Sequence, residues 1–254
     1  MFSLEEDSII ELTRKAGEAI MKIYNDPKQS KVVDYKSDDS PLTLADEASH
    51  HIIVEGLNEL YPDVPVISEE GANLSYAVRK EYKMYWLVDP LDGTKEFINR
   101  NGEFTVNIAL IENNRAVAGF VFAPYLDEFY YGIEGKGAFK ISESNTEALK
   151  VNRSETGRVA VRSKSHPSVE EESVLREYDV VDIISVGSSL KFCMVAEGKA
   201  DVYYRFGPTM EWDTAAGHAV VNAAGGRVLK RTGPEEFEYN KTELLNSSFL
   251  CLGF

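Results

Sequence analysis

Apolar residues recur at spacings of three and four through the first turns of the chain. Ile9, Leu12, Ala16, Ile20 and Ile23 fall on one side of a helix, with charged residues between them on the other. This pattern predicts an amphipathic helix over residues 3–25, stopped by Asp26-Pro27. A second helix is predicted over Leu44–Leu60, with Ala48, Ile52, Leu57 and Leu60 inward and Tyr61-Pro62 at its end. Between them lies a polar segment, KVVDYKSDDSP, with one short strand candidate at Val32–Tyr35. The run Val64-Pro65-Val66-Ile67 then leads into Ser68-Glu69-Glu70-Gly71.

The period changes in the centre of the chain. MYWLVDP, FTVNIALIE, RAVAGFVFAP and EFYYGIE are rich in β-branched and aromatic residues and predict strands, with a hairpin turn at Asn113-Asn114. After about residue 145 strand and helix patterns alternate. Strands are predicted at 158–162, 180–186 and 201–205, and helices at 167–177, 188–198 and 212–224, the last stopped by Gly225-Gly226. The expected outline is an α+β half with an antiparallel-rich sheet over 1–145 and an α/β half over 146–254, stacked in layers as one functional unit.

Charge narrows the partners. The 254 residues carry 42 acids against 27 bases, a formal charge of −15. Such a surface repels a nucleic-acid duplex, whose binding depends on Lys and Arg displacing counterions. A small anionic substrate would need local cations, from bound metal or from placed basic side chains. The two cysteines, Cys193 and Cys251, sit in apolar surroundings and read as buried thiols in a reducing compartment. The acidic first residues, Glu5, Glu6 and Asp7, do not resemble a secretory signal, and no run approaches the roughly 20 apolar residues of a membrane span. The expected location is therefore the cytoplasm, with peripheral membrane association left open.

The candidate chemistry lies in a few carboxylates. In WLVDPLDGTKEF an apolar strand runs into Asp89-Pro90-Leu91-Asp92-Gly93-Thr94. Proline is expected to end the strand and Gly93 to permit a tight backbone, so that both aspartates sit on a turn and point at one centre. Two carboxylates about 4 Å apart repel by roughly 4 kcal/mol at an effective dielectric near 20, so burying them together asks for a cation. Oxygen-only ligands, including the Leu91 carbonyl, select a hard ion such as Mg²⁺. Gly93-Thr94 opens a short helix whose free N–H groups suit a phosphate. Glu69 is expected to project from another strand end, and Asp213 stands at the start of a helix of small residues, WDTAAGHAVVNAAGG. Taken singly, Asp92 reads as well as a helix cap, Asp213 as an acid favoured by the helix dipole, and Asp46 in SPLTLADEASH as a helix-start acid.

Together, SPLTLAD, SEEG, DPLDGT and WDTAAG resemble, in order, the motifs of the inositol monophosphatase superfamily of lithium-sensitive, Mg²⁺-dependent phosphatases. The resemblance spans residues 40 to 226. It implies an α/β (α+β) fold layered as an αβαβα sandwich, and two or three Mg²⁺ per site. It also implies that Glu69, Asp89, Asp92 and Asp213 hold metal, with the Leu91 carbonyl as a further ligand. Asp46 and Thr94 correspond to the pair that orients and activates the attacking water, and Glu70 to an acid beside the metals or on an additional one. The backbone of Gly93 and Thr94 would hold the phosphate.

Substrate choice must come from outside the metal site. The Lys95-Glu96-Phe97 continuation resembles the 3′(2′),5′-bisphosphate nucleotidase branch rather than the inositol phosphatases. RSKSHP with His166, GSSLKFCMVAEGKAD with Ser188, Ser189 and Lys191, and YRFGPTMEWDTAAGH with Arg205 and Thr209 support the same branch. The implied reaction converts adenosine 3′,5′-bisphosphate to AMP and phosphate, in sulfur metabolism, with 3′-phosphoadenylyl sulfate as a further possible substrate. The second phosphate would be met by Ser188 or Ser189 and Lys191 at the start of the helix predicted at 188–198, and by Arg205. Tyr203 or Tyr204 is a candidate for the base pocket, and Met210 and Glu211 have no assigned role. The alternatives are an inositol or sugar phosphatase, and a non-catalytic metal or nucleotide sensor. Oligomeric state is not legible in the sequence.

Overall fold

The computed structural model describes residues 3–35, 41–72, 74–143, 145–164 and 169–254. Helix α1, Glu6–Tyr24, buries Ile9, Leu12, Ala16, Ile20 and Ile23 as their spacing predicts. A 3-10 turn at Gln29–Lys31 leads to a two-stranded antiparallel sheet of β1, Val33–Tyr35, and β2, Pro41–Thr43. Helix α2, Leu44–Leu60, has the bounds the sequence predicts, because Thr43 and Asp46 form a reciprocal capping box at its start. β3, Val66–Ser68, and a four-residue helix, α3 at Tyr76–Arg79, precede the central strand β4, Met84–Asp92.

Helix α4, Thr94–Ile98, is followed by strands β5, Thr105–Glu112, β6, Arg115–Ala123, β7, Glu128–Ile133, β8, Gly137–Ser142, and β9, Asn145–Leu149. They form a seven-stranded sheet in the order β3-β4-β5-β6-β7-β8-β9, antiparallel except for β3 on β4. The β5–β6 turn has Asn113 and Asn114 at φ 49° and 63°, the two left-handed positions of a tight hairpin. The chain continues with β10, Arg158–Ser163, α5, Val169–Glu177, β11, Val180–Val186, α6, Leu190–Ala196, and β12, Val202–Arg205. It ends with α7, Glu211–Ala223, β13, Arg227–Lys230, and β14, Phe249–Leu252. The second sheet is mixed, in the order β11-β10-β12-β14-β13.

The layers follow from strand periodicity. Along β4, Trp86 and Val88 pack with α1 and α2, whereas Tyr85 and Leu87 face the cluster containing α6 and α7. β5 and β6 divide in the same way, so all three strands are apolar on both faces and read as continuous runs. Helices α6 and α7 contact both sheets, and α5 covers the far face of the second one. This is the αβαβα order, with α1 and α2 outermost on one side and α5 on the other.

Contact between α7 and the large sheet is close enough to demand small residues. A Cβ on Gly119 of β6 would stand 2.1 Å from the Ala216 carbonyl oxygen. Both cysteines are buried and unpaired, matching the reading of isolated thiols. Among the described residues no helix is long and apolar enough to cross a membrane.

Three expectations change. β4 does not stop at Pro90: it continues to Asp92 through a bulge, where the pairing Asp89↔Asn107 is followed by Asp92↔Thr105. The bulge leaves Pro90 and Leu91 out of the pairing, so the missing proline N–H takes nothing from the ladder. The Pro90 carbonyl is instead met by the Ser49 hydroxyl at 2.7 Å. Second, the helix predicted over 188–198 is only Leu190–Ala196, since Ser188 adopts φ 47° and cannot join it. Third, the sequence pattern does not predict β2, α3, β8, β9 and β13.

Candidate active site

Asp89 is two residues beyond Leu87, so the alternation of β4 aims it at the α7 layer, and it is 1% exposed. Glu69 follows β3, and its backbone N–H donates to the Val88 carbonyl at 3.0 Å, which sets it beside Asp89 on the neighbouring strand. The bulge brings Asp92 round to the same side, and the Leu91 N–H closes it on Asp89 Oδ1 at 3.1 Å. Asp213 enters from the first turn of α7, where its carboxylate accepts the Met210 N–H at 2.8 Å.

All four carboxylates line one cavity of about 320 Å³, with Leu91, Gly93, Thr94, Lys95, Ser188, Ser189, Lys191, Tyr203 and Arg205. The four acids thus form one group, and Asp92 is no helix cap: Gly93, at φ 90°, occupies that position. Burial first, and then the charges of Glu69, Asp92 and Asp213, push the Asp89 carboxyl well above the usual range. Burial and the charges of Asp92 and Glu69 do the same to Asp213. Burial also pushes Asp92 up to about 6, opposed by Lys191 and reinforced by Glu96.

Among the described residues no three His, Cys, Asp or Glu side chains are drawn together as a ready-made metal cage. The donor set nonetheless fits a divalent cation: like charges sharing a buried cavity are relieved by one, and all the candidate ligands are hard oxygens. A rim of spaced carboxylates suits Mg²⁺, which keeps part of its water shell.

Asp46 is buried in the α2 capping box, where Oδ2 accepts Thr43 N at 2.7 Å and Thr43 Oγ1 at 2.6 Å. Its other oxygen, Oδ1, lies 3.3 Å from Thr94 Oγ1, so the helix-start acid also reaches the hydroxyl at the mouth of α4. Thr94 Oγ1 is 3.4 Å from the Leu91 carbonyl as well. Glu70 lies one residue past Glu69 and does not line the cavity.

The basic side of the cavity differs from the expectation. Lys191 is buried, and Nζ donates to the Ser188 and Val186 carbonyls. Burial lowers its ammonium to about 8, against the pull of Asp92. Ser189 is no free donor either: its hydroxyl is buried between Asn107 and Thr105. Ser188 Oγ and Arg205 Nε are buried polar atoms for which no hydrogen-bond partner occurs among the described residues. Lys95 is exposed at the rim, and His166 lies outside the described residues. Tyr203 lines the cavity; Tyr204 packs instead in the core beneath α5.

Glu211 and Met210 gain roles of a structural kind. Glu211 is fully buried and accepts Asn240 N, Lys241 N and Lys241 Nζ at 2.7, 3.0 and 2.6 Å, tying the 240–246 segment to α7. Met210 contributes its backbone to Asp213. Sequence reasoning missed Asn107 and Ser163, whereas Thr209, which the sequence singles out, lines the cavity. Asn107 carried no motif signal, but its place on β5 opposite Asp89 is a consequence of strand pairing.

Comparison with known proteins agrees with this geometry. Residues 5–250 match the inositol monophosphatase family. The 3′(2′),5′-bisphosphate nucleotidase CysQ of Salmonella typhimurium is 48% identical over 98% of this chain and 97% of its own length. That of Haemophilus influenzae is 33% identical over 100% and 95%. The crystal structure of CysQ from Bacteroides thetaiotaomicron superposes with a TM-score of 0.87 at 44% identity, covering 98% of both chains. An IMPase of Thermotoga maritima superposes at 0.79 with 26% identity, over 97% of this chain and 91% of that one. With the family's layered fold, its ordered acidic motifs and full-length similarity all present, this chain belongs to the inositol monophosphatase family.

Proposed function

We propose that this chain is a Mg²⁺-dependent 3′(2′),5′-bisphosphate nucleotidase that hydrolyses adenosine 3′,5′-bisphosphate to AMP and phosphate. The observation that carries the reading is one cavity lined by four carboxylates together with Lys191 and Arg205. Full-length similarity to bisphosphate nucleotidases supports the substrate class.

Glu69, Asp89, Asp92, Asp213 and the Leu91 carbonyl would hold the cations. Bound there, Mg²⁺ would neutralise the phosphoryl oxygens and the leaving group and acidify a water. The chain's own part is positioning and proton movement. Thr94 Oγ1 takes the proton of the attacking water as its own passes to Asp46 Oδ1, 3.3 Å away. The backbone of Gly93 and Thr94 holds the phosphoryl group to be transferred. Arg205 and Ser188, with Nε and Oγ unsatisfied, meet the phosphate that is kept. Lys191 adds positive charge from beneath, with its ammonium already donating to backbone carbonyls. Lys95 adds charge at the rim.

The test is phosphate release from adenosine 3′,5′-bisphosphate and from inositol 1-phosphate, each with Mg²⁺ and with EDTA. Mg²⁺-dependent release from the nucleotide, at least tenfold faster than from the inositol ester, is expected. Equal or faster release from inositol 1-phosphate would remove the second-phosphate assignment while keeping the metal site.

A further inference from the structure

Three buried side chains outside the expected ligand set form a directed chain to Asp92. Thr105 and Asn107 stand two apart on β5, on the face that alternation turns toward α6 and α7, opposite Asp92 and Asp89 of β4. Ser189 comes from the other half of the molecule, at the N-cap of α6. Thr105 Oγ1 and Ser189 Oγ are 2.8 Å apart, Ser189 Oγ is 2.7 Å from Asn107 Oδ1, and Asn107 Nδ2 is 3.4 Å from Asp92 Oδ2.

The donor directions follow from the inventory of groups. An ionised carboxylate only accepts, so Asn107 must present its NH₂ to Asp92 and its carbonyl oxygen to Ser189. Ser189 then spends its single hydroxyl proton on Asn107, and Thr105 donates to Ser189. All three hydroxyl and amide groups are buried, where an unmet polar group is costly. The Ser189 backbone N–H also donates to Asp92. Asp92 is thereby held from both halves, by β5 through Asn107 and by the turn into α6 through Ser189.

We infer that Asn107 is a positioning residue. Through the Thr105–Ser189–Asn107–Asp92 chain it fixes the orientation of the Asp92 carboxylate and locks it to the turn at Ser188 and the start of α6 that carries Lys191, so that Mg²⁺ binding and the placement of that segment are coupled. This rests on the reading of Asp92 as a metal ligand. Asn107 itself reaches neither substrate nor metal, and acts through Asp92.

The experiment is calorimetric titration of Mg²⁺ into the metal-free protein, for wild type, Asn107→Leu, Ser189→Ala and the double variant, with KM for adenosine 3′,5′-bisphosphate at saturating Mg²⁺ alongside. Asn107→Leu is expected to weaken Mg²⁺ by about ten- to hundredfold, the usual cost of losing a partner behind a ligand. Ser189→Ala retains the backbone bond to Asp92, and is expected to weaken Mg²⁺ several-fold and raise KM. The double variant is expected to bind Mg²⁺ no more weakly than Asn107→Leu alone, because the hydroxyl acts through the amide. Should Asn107→Leu fail to fold, Ser189→Ala alone decides: Mg²⁺ affinity equal to wild type overturns the chain. A double variant whose loss is the product of the two single losses also overturns it. Failure of the wild type to bind Mg²⁺ would instead remove the metal assignment itself.

Discussion

Asp46→Asn separates the two jobs of one carboxylate. Asp46 accepts three hydrogen bonds, two from Thr43 within the capping box and one from Thr94. Asparagine keeps the shape and one acceptor oxygen, so the bond from Thr43 N survives. The NH₂ that replaces the second oxygen cannot accept, and one charge-assisted bond is lost, worth about 1.5–3 kcal/mol. Partial replacement by the amide brings the stability cost to about 1–2 kcal/mol, and at about 2–4 °C per kcal/mol Tm falls by about 2–8 °C. Rate is another matter. Without a base for the Thr94 proton, kcat should fall by about 10²–10⁴, or roughly 3–5 kcal/mol of transition-state stabilisation. The assay is kcat and KM on adenosine 3′,5′-bisphosphate with Mg²⁺ for Asp46→Asn, Thr94→Val and the pair. Both single variants should lose kcat far more than they raise KM, and the double should lose little beyond the worse single, as groups acting as a unit do. If Asp46→Asn lowers Tm while kcat stays within about threefold of wild type, Asp46 is a helix cap only and the relay is wrong. Multiplicative losses in the double variant would equally separate Asp46 from Thr94.

Other consequences are more local. Glu211→Gln leaves Lys241 without its counter-charge; a fully buried pair would cost about 3–5 kcal/mol, but with 33% of the Lys241 side chain in solvent about 2 kcal/mol is expected, and an unchanged urea midpoint would contradict it. His218 is buried against Tyr239 and Asn222, and burial lowers its folded value to about 3. The unfolded ring takes its proton near 6.5, so folding loses nothing above pH 7 and progressively more between 6.5 and 3. From pH 7 to 5 this group alone should cost about 2 kcal/mol, measured as the difference in urea stability that His218→Gln fails to show. Gly119→Ala drives a methyl into the Ala216 carbonyl and should cost about 1–3 kcal/mol in urea unfolding, with activity falling as α7 and Asp213 shift; a neutral result would contradict that close packing.

Local pattern carried the frame and the acids. Ile9 through Ile23 have one answer to where their apolar face goes, and the run from Met84 to Val88 is apolar enough to be a buried strand. Glu69, Asp92 and Asp213 stand at or near element ends, with Asp89 three residues inside β4. Contacts between distant segments were not legible. Pro90 reads as a strand stop until the Ser49 hydroxyl, 41 residues earlier, is seen to receive its carbonyl. Ser189 reads as a donor to a second phosphate until Asn107, 82 residues earlier, claims its hydroxyl. Lys191 reads as a free donor to the same phosphate, yet packing of α6 buries it beside Asp92 with its ammonium on backbone carbonyls. Glu211 looked like one more acid in a chain of −15, and only the fold supplies Lys241 and two backbone donors to it.

The four-carboxylate site is tested most directly by thermal unfolding of the metal-free protein with rising Mg²⁺, in wild type and in Asp89→Asn. Mg²⁺ at about 100 times its Kd should stabilise the wild type by about 2.7 kcal/mol, a rise in Tm of about 5–10 °C for a domain of this size. Asp89→Asn removes a central ligand charge and also relieves repulsion, so it should unfold at or above the wild-type temperature without metal and gain little from Mg²⁺. Equal Mg²⁺-dependent stabilisation of both proteins, or none in the wild type, would contradict the assignment of Glu69, Asp89, Asp92 and Asp213 as one metal site.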